Sequence, residues 1–488
     1  MNLVMAYPAI EEFALSSLGY MWLYKIASKL VNTERISTDN ASFNTRTTDA
    51  VAFSLSFDFD FMGVFEILEK NNIPFLTSER DESYPLIFAG GPVITTNPEP
   101  LKQIFDFMVI GDGEGVNAKI IEIIEQGLSK AETLQELAKL EGVYVPGINS
   151  KVKKTTEQLE TVIYTPELSE KSYFKNTFII EVARGCMNRC AFCTASYLNL
   201  PFRHYEYEKI IEAIELGLSQ TNKIALLGAQ ISAHPEFENI MKYLRNKMDS
   251  GVDIELGISS LRTDSVTPEL VQTLVKGGQK TSTIAIEAAS ERLRRFINKN
   301  LKEEQILNAV KVARENGLKG LKIYSMIGIP TETQEDIEEF LRLAKVIKSE
   351  NKGFEITFSF STFVPKPQTP FQWAKREDTK SLEKKQKFLE KEFAKLGIGS
   401  KFSSAKWDYW QTVISRGDES FAPLLIEVYK QGGKLGAYKS VFKGKLGKTI
   451  DGFDLDEVLP WDFIENYPPK QLLINEHNRL IKRANAII

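Results

Sequence analysis

The 488-residue chain has few of the residues that most often bind transition metals, with three cysteines and three histidines. All three cysteines, Cys186, Cys190 and Cys193, fall within the stretch RGCMNRCAFCTA. So few cysteines in a chain of this length exclude a disulfide framework and are typical of a protein from a reducing compartment. The composition therefore predicts a cytoplasmic protein.

Long apolar runs and an excess of charge are also absent. No segment reaches about 18 uninterrupted apolar residues, which predicts that the chain does not span a membrane. The N-terminal stretch has no basic leader and places Glu11 and Glu12 soon after a short apolar run, so it is not typical of a secretory signal. The net charge of -4 provides no general attraction to nucleic acid, which is therefore not indicated as a partner.

The first 149 residues alternate strand-like and helix-like runs. Length alone predicts two or three domains, because single hydrophobic cores stop growing near roughly 250–300 residues. Buried parallel strands are predicted where apolar runs are bounded by turn residues, at 2–8, 50–57, 85–91 and 105–115. This rhythm predicts an open, doubly wound, Rossmann-like α/β domain over residues 1–149, with a ligand crevice beyond the carboxyl ends of its strands.

A second alternation follows a polar stretch, residues 150–172, which is predicted to be a linker. Between residues 173 and 374, helical runs separate six predicted strands, at 178–183, 223–228, 253–259, 282–287, 319–327 and 355–363. Six β–α units predict a partial (β/α)6 barrel whose chemistry gathers on the loops that follow the strands. The remaining residues, 375–488, are predicted to form a mainly helical C-terminal region.

The spacing of the cysteine loop, C-x3-C-x2-C, limits the metal that it can bind. Thiolates are soft ligands that select zinc, copper(I) or iron–sulfur clusters. A structural zinc site needs a fourth protein ligand, and the nearest histidine, His204, lies eleven residues beyond Cys193. A [4Fe–4S] cluster normally takes four cysteines, so three cysteines would leave one iron free to bind an exogenous ligand.

The segment CMNRCAFC resembles the CxxxCx-aromatic-C signature of the radical S-adenosylmethionine (SAM) enzymes, with Phe192 as the aromatic residue. The resemblance implies that Cys186, Cys190 and Cys193 bind a [4Fe–4S] cluster and that the open iron chelates SAM. In that family an electron from the cluster cleaves SAM to a 5′-deoxyadenosyl radical, which abstracts a hydrogen atom from the substrate. The resemblance also implies oxygen sensitivity and an electron donor such as flavodoxin or ferredoxin.

Later segments resemble the SAM-binding motifs of the same family. SMIGIPTET is similar to the fifth-strand motif whose backbone meets the adenine, and AIEAASERLRRFINK is similar to the fourth-strand segment that contacts the ribose or carboxylate. SSLRTDS follows the third strand, where side chains of the family face the methionyl carboxylate. The second-strand loop reads LLGAQIS in place of the family's Gly-Gly-Glu, so the contact to the SAM amino group would depend on backbone carbonyls. The residues that the resemblance implies in SAM binding are Phe192, Gly228, Ser259, Arg262, Glu287, Ser290, Ile327, Gly328 and Pro330.

The segment AGGPVITTNPEPLKQIFDFMVIGDGEG resembles the cobalamin-binding-type domain that precedes the barrel in one large class of radical SAM enzymes. The resemblance implies cobalamin as a further cofactor. The first domain contains no histidine, so the motif that supplies a lower cobalt ligand is missing, although many relatives bind cobalamin without it. The glycines of AGGP and IGDGEG are compatible both with ligand contacts and with tight turns between strands and helices.

Three functions remain compatible with the sequence. The first is a radical SAM enzyme in which cobalamin carries a methyl group to an unreactive carbon. The second is a cobalamin-free radical SAM enzyme limited to hydrogen abstraction, rearrangement or oxidation, and the third is a non-enzymatic iron–sulfur or zinc protein. The cysteine count excludes methylthiotransferases and other enzymes with auxiliary clusters, unless a second chain contributes ligands. RNA, a peptide, a lipid or a small metabolite are all compatible substrates.

Overall fold

The computed structural model of the protein describes residues 1–258 and 260–485. The β-strands, numbered in chain order, are β1 (Asn2–Tyr7), β2 (Asn32–Ser37), β3 (Ala50–Ser54), β4 (Leu86–Gly90), β5 (Phe107–Val109), β6 (Val143–Tyr144), β7 (Val152–Lys153), β8 (Phe178–Glu181), β9 (Ala183–Arg184), β10 (Arg203–His204), β11 (Lys223–Leu227), β12 (Glu255–Ile258), β13 (Thr281–Glu287), β14 (Gly320–Ile327), β15 (Glu355–Thr362), β16 (Gly399–Phe402) and β17 (Ile464–Glu465).

The α-helices, numbered in the same way, are α1 (Glu11–Ala14), α2 (Leu18–Ala27), α3 (Phe61–Lys70), α4 (Pro92–Thr96), α5 (Glu114–Ile124), α6 (Lys130–Leu137), α7 (Thr194–Leu198), α8 (Tyr207–Leu218), α9 (Phe237–Asp249), α10 (Pro268–Lys276), α11 (Glu291–Phe296), α12 (Glu303–Glu315), α13 (Gln334–Glu350), α14 (Thr379–Leu396), α15 (Ala405–Ser415), α16 (Phe421–Lys430), α17 (Leu435–Val441) and α18 (Lys470–Asn485). Within the described part of the chain, none of these helices is both long and apolar enough to cross a membrane.

The chain divides into two compact units, which we call the first and the second unit. The first unit comprises Met1–Gln158, Ile163–Asn176 and Trp410–Lys470. Among the described residues, the second comprises Leu159–Val162, Thr177–Tyr409 and residues 471–485. This division differs from the predicted boundaries at residues 149, 172 and 374, because different parts of the predicted C-terminal region belong to different units.

The core of the first unit is a sheet with the strand order β2-β1-β3-β4-β5-β6. The strands β1 to β5 are parallel, and β6 runs antiparallel to β5. The order of the parallel strands reverses at β1 and β3, and in doubly wound sheets this switch point marks the ligand crevice outside the carboxyl ends. The predicted doubly wound fold of this unit is confirmed.

The edge strand β2 has a sequence, NTERIS, that does not follow the pattern of a buried strand. Asn32 and Glu34 are exposed, whereas Ile36 is buried. An edge strand borders solvent along one side and therefore does not need the continuous apolar run from which the central strands were predicted. The apolar pattern of the sequence thus predicted the central strands of this sheet and missed its edge.

Residues 410–470 join the first unit through contacts with distant parts of the sequence. The ring of Tyr429 in α16 lies 5.6 Å from the ring of Phe65 in α3. The side-chain amide of Asn97 donates hydrogen bonds to the carbonyls of Ser415 and Gly417, 318 and 320 residues away in sequence. No local pattern carries information about such pairings, so the prediction of one continuous C-terminal region could not anticipate them.

The predicted linker is partly built into the first unit. The strand β7 pairs with β17 in parallel. The backbone N–H of Thr155 donates to the carbonyl of Ile110 at 3.0 Å, and the N–H of Asp112 donates to the carbonyl of Thr155 at 3.2 Å. These bonds place Thr155 beside the carboxyl end of β5, where the sequence predicted part of a ligand crevice.

The second unit contains parallel strands that follow one another in chain order. β8, β11 and β12 form one sheet, β13 to β16 form another, and an isolated bridge between Leu261 and Ile284 connects them. Because right-handed crossovers between sequential parallel strands place their helices on the same face, this order produces a partial βα barrel. The predicted barrel is confirmed, with β16 as an additional strand at its edge.

The strands of the second unit alternate buried and partly exposed side chains. Buried residues face the helices: the ring of Phe360 lies 5.1 Å from that of Phe340 in α13, and the ring of Phe358 lies 5.0 Å from that of Phe393 in α14. The alternate residues therefore face the inside of the barrel. The surface that they form, which we call the inner face, includes Ile179, Ala225, Gly257, Thr283, Ala285, Lys322, Tyr324, Thr357 and Ser359.

We expect Gly63→Ala to destabilise the first unit. A Cβ atom on Gly63 in α3 would lie 2.1 Å from the carbonyl oxygen of Pro8, which follows β1. Because this neighbour is backbone, α3 would have to move away from the sheet, at a cost of roughly 1–3 kcal/mol. Thermal unfolding should show a lower midpoint for this variant.

Gly19→Ala in α2 is the matched control, because no described atom lies within 4 Å of the Cβ that it would add. Its unfolding midpoint should equal or slightly exceed that of the wild type, since alanine has the higher helix propensity. Equal midpoints for Gly63→Ala and Gly19→Ala would contradict the close approach of α3 to Pro8.

Candidate active site

The cysteine loop begins directly after the first strand of the barrel. Gly185 precedes Cys186 with φ of +88°, and a Cβ atom at Gly185 would lie 2.5 Å from the carbonyl oxygen of Asn199. Glycine is therefore required where the chain turns from the barrel into the loop. The loop ends in a tight turn in which the N–H of Cys193 donates to the carbonyl of Cys190 at 3.0 Å, and α7 starts at the next residue.

The three thiols lie in a buried group. The residues Cys186 and Cys190 are 9% and 6% exposed, and Cys193 is half-buried. Burial raises the pKa of Cys190 to about 12 and also raises the pKa of Cys193, and charge on the neighbouring thiols acts in the same direction on both. Iron would bind them as thiolates, so metal binding would release their protons.

The donor set fits an iron–sulfur cluster. Three thiols on one loop are the soft ligands that such clusters use, with one cysteine for each of three irons. Within the described residues, no group of three or more His, Cys, Asp or Glu side chains stands at the separation that a single metal ion needs. Because they are the three cysteines of the chain and share one loop, Cys186, Cys190 and Cys193 are the residues that would hold a cluster.

A charged group lies next to the cysteine loop. Lys299 is 8% exposed, and its ammonium nitrogen lies 3.1 Å from Oε1 of Glu287. Burial would lower the pKa of Lys299, but Glu287 and Cys190 raise it above its ordinary value. The guanidinium of Arg262 donates to the carbonyl of Lys299 at 3.1 Å. The side-chain amide of the adjacent Asn298 donates to the carbonyl of Arg189 in the cysteine loop at 3.0 Å. The structure therefore brings two predicted SAM-binding residues, Arg262 and Glu287, together next to this loop.

Lys299 was not identified from the sequence. It lies between Asn298 and Asn300, both of which have positive φ, at 59° and 53°. Two asparagines in the left-handed region bend the backbone after α11, and asparagine tolerates this conformation better than most residues. The sequence NKN was the available signal for this residue. It predicts a turn but does not indicate which side chains the lysine contacts.

The loop after β11 contacts the cysteine loop through a glutamine side chain. Oε1 of Gln230 accepts hydrogen bonds from the side-chain amide of Asn188 and, at 3.3 Å, from Sγ of Cys186. A Cβ atom on Gly228 would lie 3.1 Å from the carbonyl oxygen of Ala183, so the backbone of this loop passes close to β9. The role of Gly228 in holding the SAM amino group stays a prediction.

The predicted adenine motif forms a turn with a buried ion pair beneath it. Gly328 follows β14 with φ of +79°, and its N–H donates to Oε1 of Glu332 at 2.9 Å. The same carboxylate oxygen pairs with the ammonium of Lys385 in α14 at 2.7 Å. Burial raises the pKa of Glu332, against the opposing effect of Lys385. Ile327 is fully buried, and Pro330 is half-buried beside this turn.

The remaining predicted residues have other surroundings. The hydroxyl of Ser290 caps α11, and it lies 2.5 Å from Oδ1 of Asp336 in α13. Phe192 packs against a buried cluster that includes Ala288 and Ile329. Ser259 lies outside the described residues. The roles of these three residues in SAM binding stay predictions, although the hydroxyl of Ser290 is already engaged within the protein.

Two stretches of the chain match known families. Residues 27–146 match the family described as radical SAM proteins, N-terminal, and residues 180–344 match the radical SAM superfamily. An uncharacterised protein of Methanocaldococcus jannaschii is 33% identical over 387 residues, which cover 77% of this chain and 80% of that protein. The chain belongs to the radical SAM superfamily. The predicted cofactors of this radical SAM protein, a [4Fe–4S] cluster and SAM, are those of the superfamily and are confirmed by the match.

More distant relatives share the fold. An uncharacterised methyltransferase of Pyrococcus horikoshii is 27% identical over 289 residues, which cover 55% of this chain and 60% of that protein. The radical SAM methyltransferase TsrM of Kitasatospora setae, solved with cobalamin and a [4Fe–4S] cluster, matches with a TM-score of 0.56 and 14% identity over 74% of each chain. The cobalamin-dependent enzyme OxsB matches with a TM-score of 0.57 and 13% identity over 99% of this chain and 80% of that chain.

We expect Cys186→Ala to abolish cluster assembly. Anaerobically reconstituted wild-type protein should contain about four irons per chain, because each of three irons takes one thiol and the fourth stays open. Loss of one thiol leaves a second iron without a protein ligand, so the variant should lose most of its iron and its cluster absorbance. Iron analysis and visible absorption spectroscopy measure both.

Met187→Ala provides the control within the same loop, because the side chain of Met187 is 59% exposed. This variant should keep the iron content of the wild type. Loss of iron in both variants would indicate general damage to the loop, and retention in both would contradict the assignment of the thiols.

Proposed function

We propose that the protein is a radical SAM enzyme that cleaves SAM reductively and methylates an unreactive carbon with the help of cobalamin. The observation that carries this proposal is the group of three thiols, two buried and one half-buried, on the loop that follows the first barrel strand, with no fourth cysteine in the chain. When bound there, the cluster supplies the electron that breaks the bond between the SAM sulfur and C5′. The residues around the loop bind and orient SAM.

Complementary charges support a binding role for the group beside Cys190. SAM carries a carboxylate, an amino group and two ribose hydroxyls, and these need a cation and hydrogen-bond acceptors. Arg262 and Lys299 provide cations, and Glu287 provides a carboxylate in the same place. We propose that Arg262 and Lys299 bind the methionyl carboxylate and that Glu287 accepts from the ribose. The backbone turn at Gly328 would meet the adenine.

We expect Lys299→Met to weaken SAM binding while iron stays bound. The variant removes a cation and leaves the carboxylate of Glu287 without its ion-pair partner, and hydrogen bonds to charged groups contribute about 1.5–3 kcal/mol. The KM for SAM in the release of 5′-deoxyadenosine under a strong reductant should rise about tenfold or more. Iron content should remain that of the wild type.

The control for this test is Lys302→Met, because Lys302 belongs to the same loop and is exposed. Its KM for SAM should match that of the wild type. An unchanged KM in Lys299→Met would contradict the role of Lys299. A Cys186→Ala variant that still released 5′-deoxyadenosine would contradict the radical SAM chemistry itself.

Cobalamin is proposed on the architecture and surface of the first unit. The switch point between β1 and β3 is where doubly wound sheets bind ligands. Near the carboxyl end of β1 lies an aromatic patch of exposed apolar side chains: Ile10, Phe13, Tyr173 and Phe174. The ring of Tyr173 lies 6.1 Å from that of Phe13 and 5.1 Å from that of Phe174. An exposed apolar patch of this kind suits a large macrocycle such as corrin.

The other end of the crevice is occupied by the protein itself. The hydroxyl of Thr155 donates to the carbonyl of Asp112 at 2.7 Å, and Oε1 of Glu157 accepts from the N–H of Gly115 at 3.1 Å. A Cβ atom on Gly111 would lie 2.3 Å from the carbonyl oxygen of Thr155. Gly111 and Gly115 of IGDGEG therefore serve this internal packing. We propose that the corrin is held at β1 and β3, away from β5.

We expect Phe13→Ala to lower the amount of corrinoid that the protein retains. Protein produced with vitamin B12 in the medium should carry a corrinoid absorption spectrum, and removal of one ring from the aromatic patch should reduce its intensity severalfold. Leu30→Ala is the control, because Leu30 is 51% exposed and follows α2, at the opposite end of the sheet.

The alternative without cobalamin is favoured by a specific outcome of the same experiment. If the wild-type protein cleaves SAM but carries no corrinoid, its reaction would be hydrogen abstraction, rearrangement or oxidation instead of methylation. Equal corrinoid loss in Phe13→Ala and Leu30→Ala would contradict binding at the aromatic patch.

The cysteine count also limits the partners. The chain has no thiol beyond the three of the loop, so it has no ligands of its own for an auxiliary cluster. We propose that an external carrier such as flavodoxin or ferredoxin delivers the electron, and that the protein works in the reducing cytoplasm.

A further inference from the structure

On β13 and β15, the inner face is formed by small or hydroxyl-bearing side chains: Thr283, Ala285, Thr357 and Ser359. Two large side chains, Lys322 and Tyr324, project from the middle of β14 into this surface. Tyr324 is 41% exposed, which is unusual for an aromatic residue on a central strand of a parallel sheet. Such a pair inside an open barrel requires an explanation beyond packing.

Lys322 has a different kind of partner from the two buried lysines of the candidate active site. Lys299 pairs with Glu287 and Lys385 pairs with Glu332. The ammonium of Lys322 instead lies 3.5 Å from the hydroxyl oxygen of Tyr324 and 4.7 Å from the centre of its ring. Within the part of the chain that the structure describes, Lys322 has no carboxylate partner. A half-buried cation without a counter-ion is costly unless a ligand supplies the negative charge.

Hydroxyl groups flank this cation on both neighbouring strands. The register pairs Thr283 of β13 with Lys322, and Lys322 with Thr357 of β15. Directly paired residues of adjacent strands lie side by side on the same face, about 4.8 Å apart. Two hydroxyls and one ammonium in a row can all donate hydrogen bonds to a single carboxylate or phosphate.

We propose that Lys322, Thr283 and Thr357 bind the anionic group of a small organic substrate and that the ring of Tyr324 packs against its apolar body. This inference rests on the proposed function, because it assigns the substrate of the same barrel. The substrate class is an organic carboxylate or an organic phosphate with an apolar or planar body.

The position of Lys322 along β14 also sets the orientation of the substrate. Lys322 lies five residues before Ile327, where the strand meets the predicted adenine turn. At about 3.3 Å per residue this separation is roughly 16 Å. The anion therefore binds at the end of the substrate that is remote from SAM, and the reacting carbon points toward the carboxyl ends of the strands.

The test uses anaerobic holoenzyme with SAM and three matched probes: phenyl phosphate, 3-phenylpropionate and the neutral 3-phenylpropanol. Saturation-transfer NMR measures the dissociation constant of each. We expect at least one anion to bind at least tenfold more tightly than the alcohol, and the preferred anion distinguishes phosphate from carboxylate. Lys322→Met should weaken that anion at least tenfold and leave the affinity for the alcohol unchanged.

Lys223→Met is the matched control, because Lys223 occupies β11 and already has an acidic neighbour, Glu255, at 3.9 Å. This variant should bind the anion like the wild type, and Lys322→Arg should retain most of the affinity. The inference is overturned if no anion binds more tightly than the alcohol, if Lys322→Met binds the anion normally, or if Lys223→Met loses it equally.

Iron content and 5′-deoxyadenosine release separate this inference from the proposed function. Lys322→Met should keep the iron content of the wild type, because Lys322 lies away from the cysteine loop. A wild-type protein that bound the anion but did not cleave SAM would overturn the proposed chemistry and leave the binding site standing. A protein that cleaved SAM but showed no anion preference would overturn the binding site alone.

Discussion

The supply of three thiols to a cluster of four irons is the constraint on which the proposed active site depends. A ligand set with one vacancy requires that nothing else in the protein fills it, and the chain has no further cysteine. The loop must also hold its thiols in a fixed arrangement. Gly185 makes the entry turn that a larger residue could not make, and the hydrogen bond between Cys193 and Cys190 closes the other end.

Parallel sheets place the proposed functional surfaces of both units at the carboxyl ends of strands. In the second unit, the cysteine loop, the Gln230 loop and the turn at Gly328 each follow a strand of the barrel. In the first unit, the aromatic patch lies near the carboxyl end of β1. The barrel has a further polar surface on its inner face, because strand side chains alternate between helices and interior. The same alternation that builds the core therefore exposes Lys322 and Tyr324.

Ion pairs between distant residues stabilise the loops that the sequence motifs describe. Glu332 is buried beneath the turn at Gly328 and would be costly there without Lys385, which comes from a helix 53 residues later. Lys299 balances Glu287 in the same way beside Cys190. Lys385 lies outside the segments that resemble family motifs, whereas Lys299 ends the same segment that contains Glu287. Neither segment indicated which lysine its glutamate would contact.

The sequence by itself determined the chemistry and the order of the elements. The cysteine spacing depends on neighbours in the chain, and the central strands are continuous apolar runs, so both are local properties. Only the tertiary structure decided which side chains meet: Lys299 beside Cys190, Thr155 at the end of β5, and residues 410–470 in the first unit. The edge strands β2 and β16 were also not predicted from the sequence. These features depend on contacts between residues far apart in sequence, and hydrophobic periodicity carries no record of such pairings.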